Sequence, residues 1–159
     1  MRYAQIRSMD ISNGVGIACS LFVQGCSHHC KNCFNPETWD FDEGKEWTKE
    51  TEDMFISLCK NKYVDCVSIL GGEPFDQDIH IYHLLKRLRT EIGKPIYVWT
   101  GYTIEQLINI EIPYSCLKDN LIDYLIDGEY IDELRNLNLE LRGSSNQRII
   151  NVKEWLNEL

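Results

Sequence analysis

The sequence predicts an α/β fold built on a mainly parallel sheet, and three observations carry that expectation. Short apolar, β-branched runs alternate with longer segments of helical period, the strand-like runs end in glycine or small polar residues, and no repeat or low-complexity tract interrupts the alternation. Strand–helix–strand order implies right-handed crossovers between parallel neighbours. The chain has 159 residues, well short of the roughly 250 of a complete eight-unit barrel, so the sheet is either open or a partial barrel. A single domain over residues 1–159 is expected.

The first buried strand is expected at Cys19 to Gln24, closed by Gly25. A helix follows in which Met54, Phe55, Leu58 and Cys59 share one face. Val64 to Leu70 reads as the second strand, and it runs into Gly71-Gly72-Glu73-Pro74. Ile81, Leu84, Leu85, Leu88 and Ile92 recur at helical spacing and mark a second helix. Pro95 to Thr100 is the third strand. Thr103 with Gln106 forms a capping box that opens a third, short helix. Leu121 to Ile126 is the fourth strand, ending on Asp127-Gly128. Ligands of such sheets gather beyond the carboxyl ends of the strands, and small or polar residues stand at each of these four ends.

Composition narrows the class further. Hydrophobic residues make up 43% and charged residues 26%, proportions of a globular chain. The net charge is −9; without a basic surplus to displace counterions, nucleic acid is excluded as a general partner. Eight acids between Glu37 and Asp53, interrupted by Lys45 and Lys49, read as a solvated face. No apolar run of about 18 residues occurs, and the first ten residues lack the apolar core of a signal peptide. A cytoplasmic protein without membrane contact is therefore expected. Seven cysteines without an export signal read as reduced thiols or metal ligands rather than disulfides. Four of them, Cys19, Cys59, Cys66 and Cys116, are expected to be small buried hydrophobes.

The other three, Cys26, Cys30 and Cys33, fall at Cys-x3-Cys-x2-Cys spacing in a polar loop just after the first strand. Three soft ligands in one loop can wrap a metal centre, either zinc or an iron–sulfur cluster. Structural zinc takes four ligands, usually in two pairs; the second pair is missing here, which leaves His28 or His29 to complete the set. A four-iron cluster on three thiolates has one iron without a protein ligand, free to bind a substrate. The residues thus point to a cluster that does chemistry. Glu73, a carboxylate at a strand end, can cap the next helix. Asp127 either touches a ligand or cation or starts a turn. Trp99 and Tyr102 either line a cleft or pack in the core. His80 and His83, beside Asp76 and Asp78, lack a third convergent ligand and read as a solvated helix start. Gly14-Val15-Gly16 lacks the third glycine of a dinucleotide site and carries no phosphate role.

The cysteine spacing together with Gly71-Gly72-Glu73-Pro74 resembles the radical S-adenosylmethionine superfamily. Further blocks resemble the activating proteins of anaerobic ribonucleoside-triphosphate reductase: Asp10 to Gly16 leading into Leu21 to Cys26, Trp99 to Tyr102, Asp127 to Tyr130, and Leu141 to Arg148. These blocks span nearly the whole chain. The resemblance implies a partial parallel β/α barrel of the radical S-adenosylmethionine type, open on one side. It implies one [4Fe–4S] cluster per chain, ligated by Cys26, Cys30 and Cys33, whose open iron binds S-adenosylmethionine. It also implies adenosine contacts from Asn32, Cys33 and Phe34, and methionine contacts from Gly72 and, less directly, Glu73. The implied activity is reductive cleavage of S-adenosylmethionine to a 5′-deoxyadenosyl radical that leaves a glycyl radical on the reductase. A low-potential electron donor such as a flavodoxin or ferredoxin follows as a second partner. Two positions depart from the pattern: Asn32 stands where the superfamily commonly has an aromatic residue, and Ala18 where the family often carries arginine. Two other readings fit the same residues: a radical enzyme acting on another glycyl-radical enzyme or a small molecule, and a non-catalytic iron–sulfur or zinc module.

Overall fold

The structure is a computed structural model that describes all 159 residues. Seven strands form one sheet: β1 (Arg2–Asp10), β2 (Ala18–Gln24), β3 (Lys45–Glu46), β4 (Cys66–Gly71), β5 (Ile96–Trp99), β6 (Tyr124–Asp127) and β7 (Arg148–Asn151). Their order across the sheet is β3-β1-β2-β4-β5-β6-β7. The four expected strands are the central four and run parallel. Antiparallel strands flank them on both sides, β1 and β3 on one and β7 on the other, and the sheet is therefore mixed.

Five helices lie between or after the strands: α1 (Lys49–Cys59), α2 (Ile79–Glu91), α3 (Ile104–Leu107), α4 (Glu111–Lys118) and α5 (Val152–Asn157). Local chemistry fixes their starts. Thr48 caps α1 by accepting from the Thr51 N–H, and Thr103 and Gln106 make the reciprocal capping box of α3. Residues on β4 illustrate how the sheet sorts its faces. Side chains alternate along a strand, and Val67 and Ile69 join Cys19, Leu21 and Val23 of β2 in the main core. Phe55, Ile56, Leu84, Leu85, Leu88, Leu107 and Leu117 of the helices belong to that same core, so the helices cover one face of the sheet. The other face, bearing Phe22, Leu70 and Trp99, opens onto cavities instead. No helix is long and apolar enough to cross a membrane.

Cys19, Cys59 and Cys116 sit in the main core and Cys66 in a small cluster with Ala18, Tyr97 and Ile126; all four are free thiols. Gly14 packs against this cluster without a side chain, since an added carbon would lie 2.7 Å from Cys66 Sγ and 3.0 Å from the Ala18 methyl. The segment after β1 is tied down by Asp10, which accepts from the Ser12 N–H at 2.9 Å and from Asn13 Nδ2 at 2.8 Å. Burial alone would raise the carboxyl's pKa, but the Asn13 and Ser12 bonds and the nearby Arg7 charge outweigh it and hold it below the usual carboxylate range. A depressed folded-state pKa contributes stability above the unfolded value that is lost as pH falls through the folded one. Asp10→Asn is therefore expected to destabilise at pH 7 by about 1 kcal/mol and by clearly less near pH 3. Paired urea melts at the two pH values check this, and an equal loss at both would refute it.

Candidate iron–sulfur site

The cysteine loop begins where β2 ends. Gly25 takes a φ of 110°, open to glycine but strained for other residues. Its N–H donates to the Thr38 carbonyl at 2.7 Å, and the Cys26 N–H donates to that of Trp39 at 3.1 Å. Between Cys26 and Cys33 the chain turns tightly, with positive φ at His29 (49°) and Asn32 (55°) and a Cys33 N–H bond to the Cys30 carbonyl at 3.1 Å. Cys26, Cys30 and Cys33 line one cavity of about 140 Å³ together with Gly71, Gly72 and Glu73 from the end of β4. Sequence positions 26 to 33 and 71 to 73 thus meet, although neither motif touches the other in the chain.

The thiols are electrostatically expensive to ionise on their own. Burial, reinforced by the Glu73 and Asp76 carboxylates, pushes Cys26 up to about 11 against the donated His28 and His29 N–H bonds. Burial and then Glu129 raise Cys30. Such thiols give up protons when a cation takes their place. No three His, Cys, Asp or Glu side chains converge tightly enough to ligate a single ion; the three thiols instead surround a shared space. The indole N–H of Trp39, in the same lining, is buried without an acceptor, and buried indole N–H groups usually have one. Three thiols around one space and an orphaned donor beside them fit an iron–sulfur cluster, whose sulfurs accept hydrogen bonds.

His28 does not complete a ligand set. Its Nε2 lies 2.9 Å from Glu73 Oε2 and its Nδ1 3.1 Å from Glu129 Oε1, so both ring nitrogens face carboxylates and neither offers a lone pair to a metal. Burial pulls the ring's pKa down, yet the hydrogen bond and charge of Glu73, then Glu129, leave it raised. His29 stacks on Trp39 with ring centroids 4.6 Å apart.

Glu73 is 1% exposed, and four donors reach its two oxygens. Phe75 N–H and Thr100 Oγ1 bond Oε1 at 3.1 and 2.8 Å, while Gly101 N–H bonds Oε2 at 2.7 Å beside His28. The carboxylate caps the short turn of Pro74–Gln77 and joins the ends of β4 and β5. Asp127 is likewise a structural partner: it accepts from the Ile104 N–H at 2.9 Å and pairs with Arg148. Of Trp99 and Tyr102, the first lines the cleft and the second lines neither cavity but packs against the main core. Trp99 lines the cavity and donates to the Leu141 carbonyl at 2.8 Å, and Tyr102 packs edge-on against His28 and bonds Asp76 at 2.7 Å.

A second cavity of about 430 Å³ adjoins the first, and Asn35, Leu70, Trp99, Tyr130 and Gln147 line both. Phe34 lines this second space, half-exposed against Tyr130 at 4.8 Å. Asn32 lines neither; its side chain turns outward to Asp132 at 2.8 Å. His80 and His83 lie exposed on α2. The sequence marks Thr100, Gly101, Glu129 and Tyr130 only as members of strand-end blocks; their individual contacts with Glu73, His28 and the cavity come from the fold.

A family model described as a 4Fe-4S single cluster domain matches residues 12–150. An anaerobic ribonucleoside-triphosphate reductase-activating protein of Salmonella typhi is 38% identical over 158 residues, covering 96% of this chain and all of its own. The protein of the same name in Escherichia coli K12 is 37% identical with the same coverage. Its counterpart in Enterobacteria phage T4 is 34% identical over 94% of this chain and 93% of its own. The cysteine loop, the glycine pair and the cavity they share all fall within these matched spans, and the chain belongs to the family of anaerobic ribonucleoside-triphosphate reductase-activating proteins.

Proposed function

We propose that this protein activates an anaerobic ribonucleoside-triphosphate reductase by reductive cleavage of S-adenosylmethionine at a [4Fe–4S] cluster, leaving a glycyl radical on the reductase. The observation that carries this reading is the shared cavity: three thiols and the Gly71-Gly72-Glu73 turn face one space at the carboxyl ends of β2 and β4, where ligands of parallel sheets bind. When bound, the cluster supplies one electron to the sulfonium, which breaks into methionine and a 5′-deoxyadenosyl radical that takes a hydrogen atom from a reductase glycine.

The chain's own residues bind, orient and shield. Cys26, Cys30 and Cys33 hold the cluster. Gly72, at the cavity wall, presents open backbone to the methionine end, and the loop backbone of Asn32 to Phe34, of which Cys33 lines that cavity and Phe34 the adjoining one, does so for the adenosine. Glu73 acts through its neighbours, because its four hydrogen bonds occupy the carboxylate. The sheet is read as part of a barrel whose inner face bears Phe22, Leu70 and Trp99, with the second cavity on its open side. The reductase closes that side and excludes water and stray hydrogen donors. A low-potential flavodoxin or ferredoxin supplies the electron.

Anaerobic reconstitution with iron and sulfide tests the reading. About four irons per chain, 5′-deoxyadenosine release with dithionite, and a glycine-centred paramagnetic signal on mixing with the reductase are expected. A single tightly held zinc without turnover overturns it.

A further inference from the structure

We propose that His28 is a positioning residue that locks the cysteine loop onto the ends of β4 and β6 and thereby holds Cys26 and Cys30 in place around the cluster. This rests on the three-thiol reading above. His28 stands midway between two of the thiols, and its partners Glu73 and Glu129 are 45 and 101 residues away in the chain. Its side chain is 9% exposed, whereas Ser27 and His29 beside it are exposed. Two charged-group hydrogen bonds, stronger than neutral ones, therefore cross from the middle of the loop to two different strands.

The seat for this ring is built into the fold. Tyr102 meets the ring edge-on with centroids 4.6 Å apart. Gly101 leaves room for it: a side-chain carbon there would lie 2.6 Å from His28 Cδ2 and 2.7 Å from Nε2. Gly101 is not among the residues with positive φ, so its backbone admits alanine, and the obstacle to a methyl group is the His28 ring. The Gly101 N–H also bonds Glu73 Oε2, the oxygen that His28 meets. One carboxylate thus ties β4, the end of β5 and the cysteine loop together, and His28 is the loop's share of that tie.

The test reads how firmly the loop grips its cluster rather than turnover. Reconstituted protein is mixed anaerobically with a ferrous chelator and the rate of iron loss is followed. His28→Ala is expected to lose iron about tenfold faster or more, with the thermal midpoint of the metal-free protein little changed. His28→Gln, which keeps a donor towards Glu73, recovers part of the difference. Gly101→Ala speeds iron loss in the wild-type background but adds nothing to His28→Ala, because a methyl at 101 acts by displacing the ring. Additive effects of the two substitutions overturn the proposal, as does a wild-type rate in His28→Ala with only the metal-free midpoint lowered. Should His28→Ala fail to fold, Gly101→Ala alone decides, since it keeps every hydrogen-bonding group, and a wild-type rate refutes the proposal. Wild-type protein that takes up no iron at all would instead strike down the cluster reading on which the proposal stands.

Discussion

Cys30→Ala is expected to yield a folded chain that no longer retains about four irons and releases no detectable 5′-deoxyadenosine. Two structural facts separate folding from loading at this position. Cys30 is half-buried in a loop and belongs to neither hydrophobic cluster, so removing its thiol opens no core cavity. The loop keeps its other ties: Cys26 N–H to Trp39, Ser27 N–H to Asp76, and His28 to its two carboxylates. Cys26 is a poorer choice for this experiment because it is buried just past the end of β2. With only two thiolates left, two irons of a cube lack a protein ligand and are lost to solvent. Iron content, circular dichroism and nucleoside chromatography on oxygen-free protein check the three parts. Retained S-adenosylmethionine cleavage with a full complement of iron would show that Cys30 is not a ligand.

The central sheet was legible because burial on both faces writes itself as continuous apolar runs. Residues of β2 are buried throughout, as the run from Cys19 predicts. The flanking strands were not legible for the converse reason. In β1, Gln5, Arg7, Ser8 and Met9 are exposed, and β7 has only four residues, two of them exposed; neither carries a run or a clean alternation. Leu121 and Ile122 are buried yet precede β6, which begins at Tyr124; burial alone does not distinguish a strand from the turn that feeds it. Helix α4 carries Pro113 in its first turn, where the missing N–H removes no helical bond, so a residue that reads as a breaker is accommodated.

At the site, the thiols announced themselves by spacing, whereas the carboxylate network did not. Glu73 had two readings of equal weight from sequence, and its contact with His28, Thr100 and Gly101 depends on how three strand ends meet. The same holds for His28. Its position between two cysteines suggests a ligand, and only the fold reveals two carboxylates that occupy both nitrogens.

Gly72→Ala should lower stability by about 3 kcal/mol, which for a chain of this size lowers the melting midpoint by about 10 °C. A side-chain carbon at 72 would overlap the Gly25 carbonyl oxygen and stand 2.9 Å from that of Thr38. Both obstacles are backbone, and both are already committed: Gly25 accepts the Glu73 N–H at 2.8 Å, and Thr38 accepts the Gly25 N–H at 2.7 Å. The methyl therefore cannot be accommodated by turning a side chain. It must part the end of β4 from the start of the cysteine loop, carrying Glu73 away from Thr100 and Gly101, and iron retention should fall along with stability. Gly93→Ala is the matched control: nothing lies within 4 Å of its added carbon and its φ is not positive, so it should be neutral or stabilise by up to about 1 kcal/mol through the unfolded chain. Thermal melts of the two variants decide the matter. Equal midpoints would mean that the close approach of β4 to the cysteine loop, on which the shared cavity depends, is not how the folded protein is built.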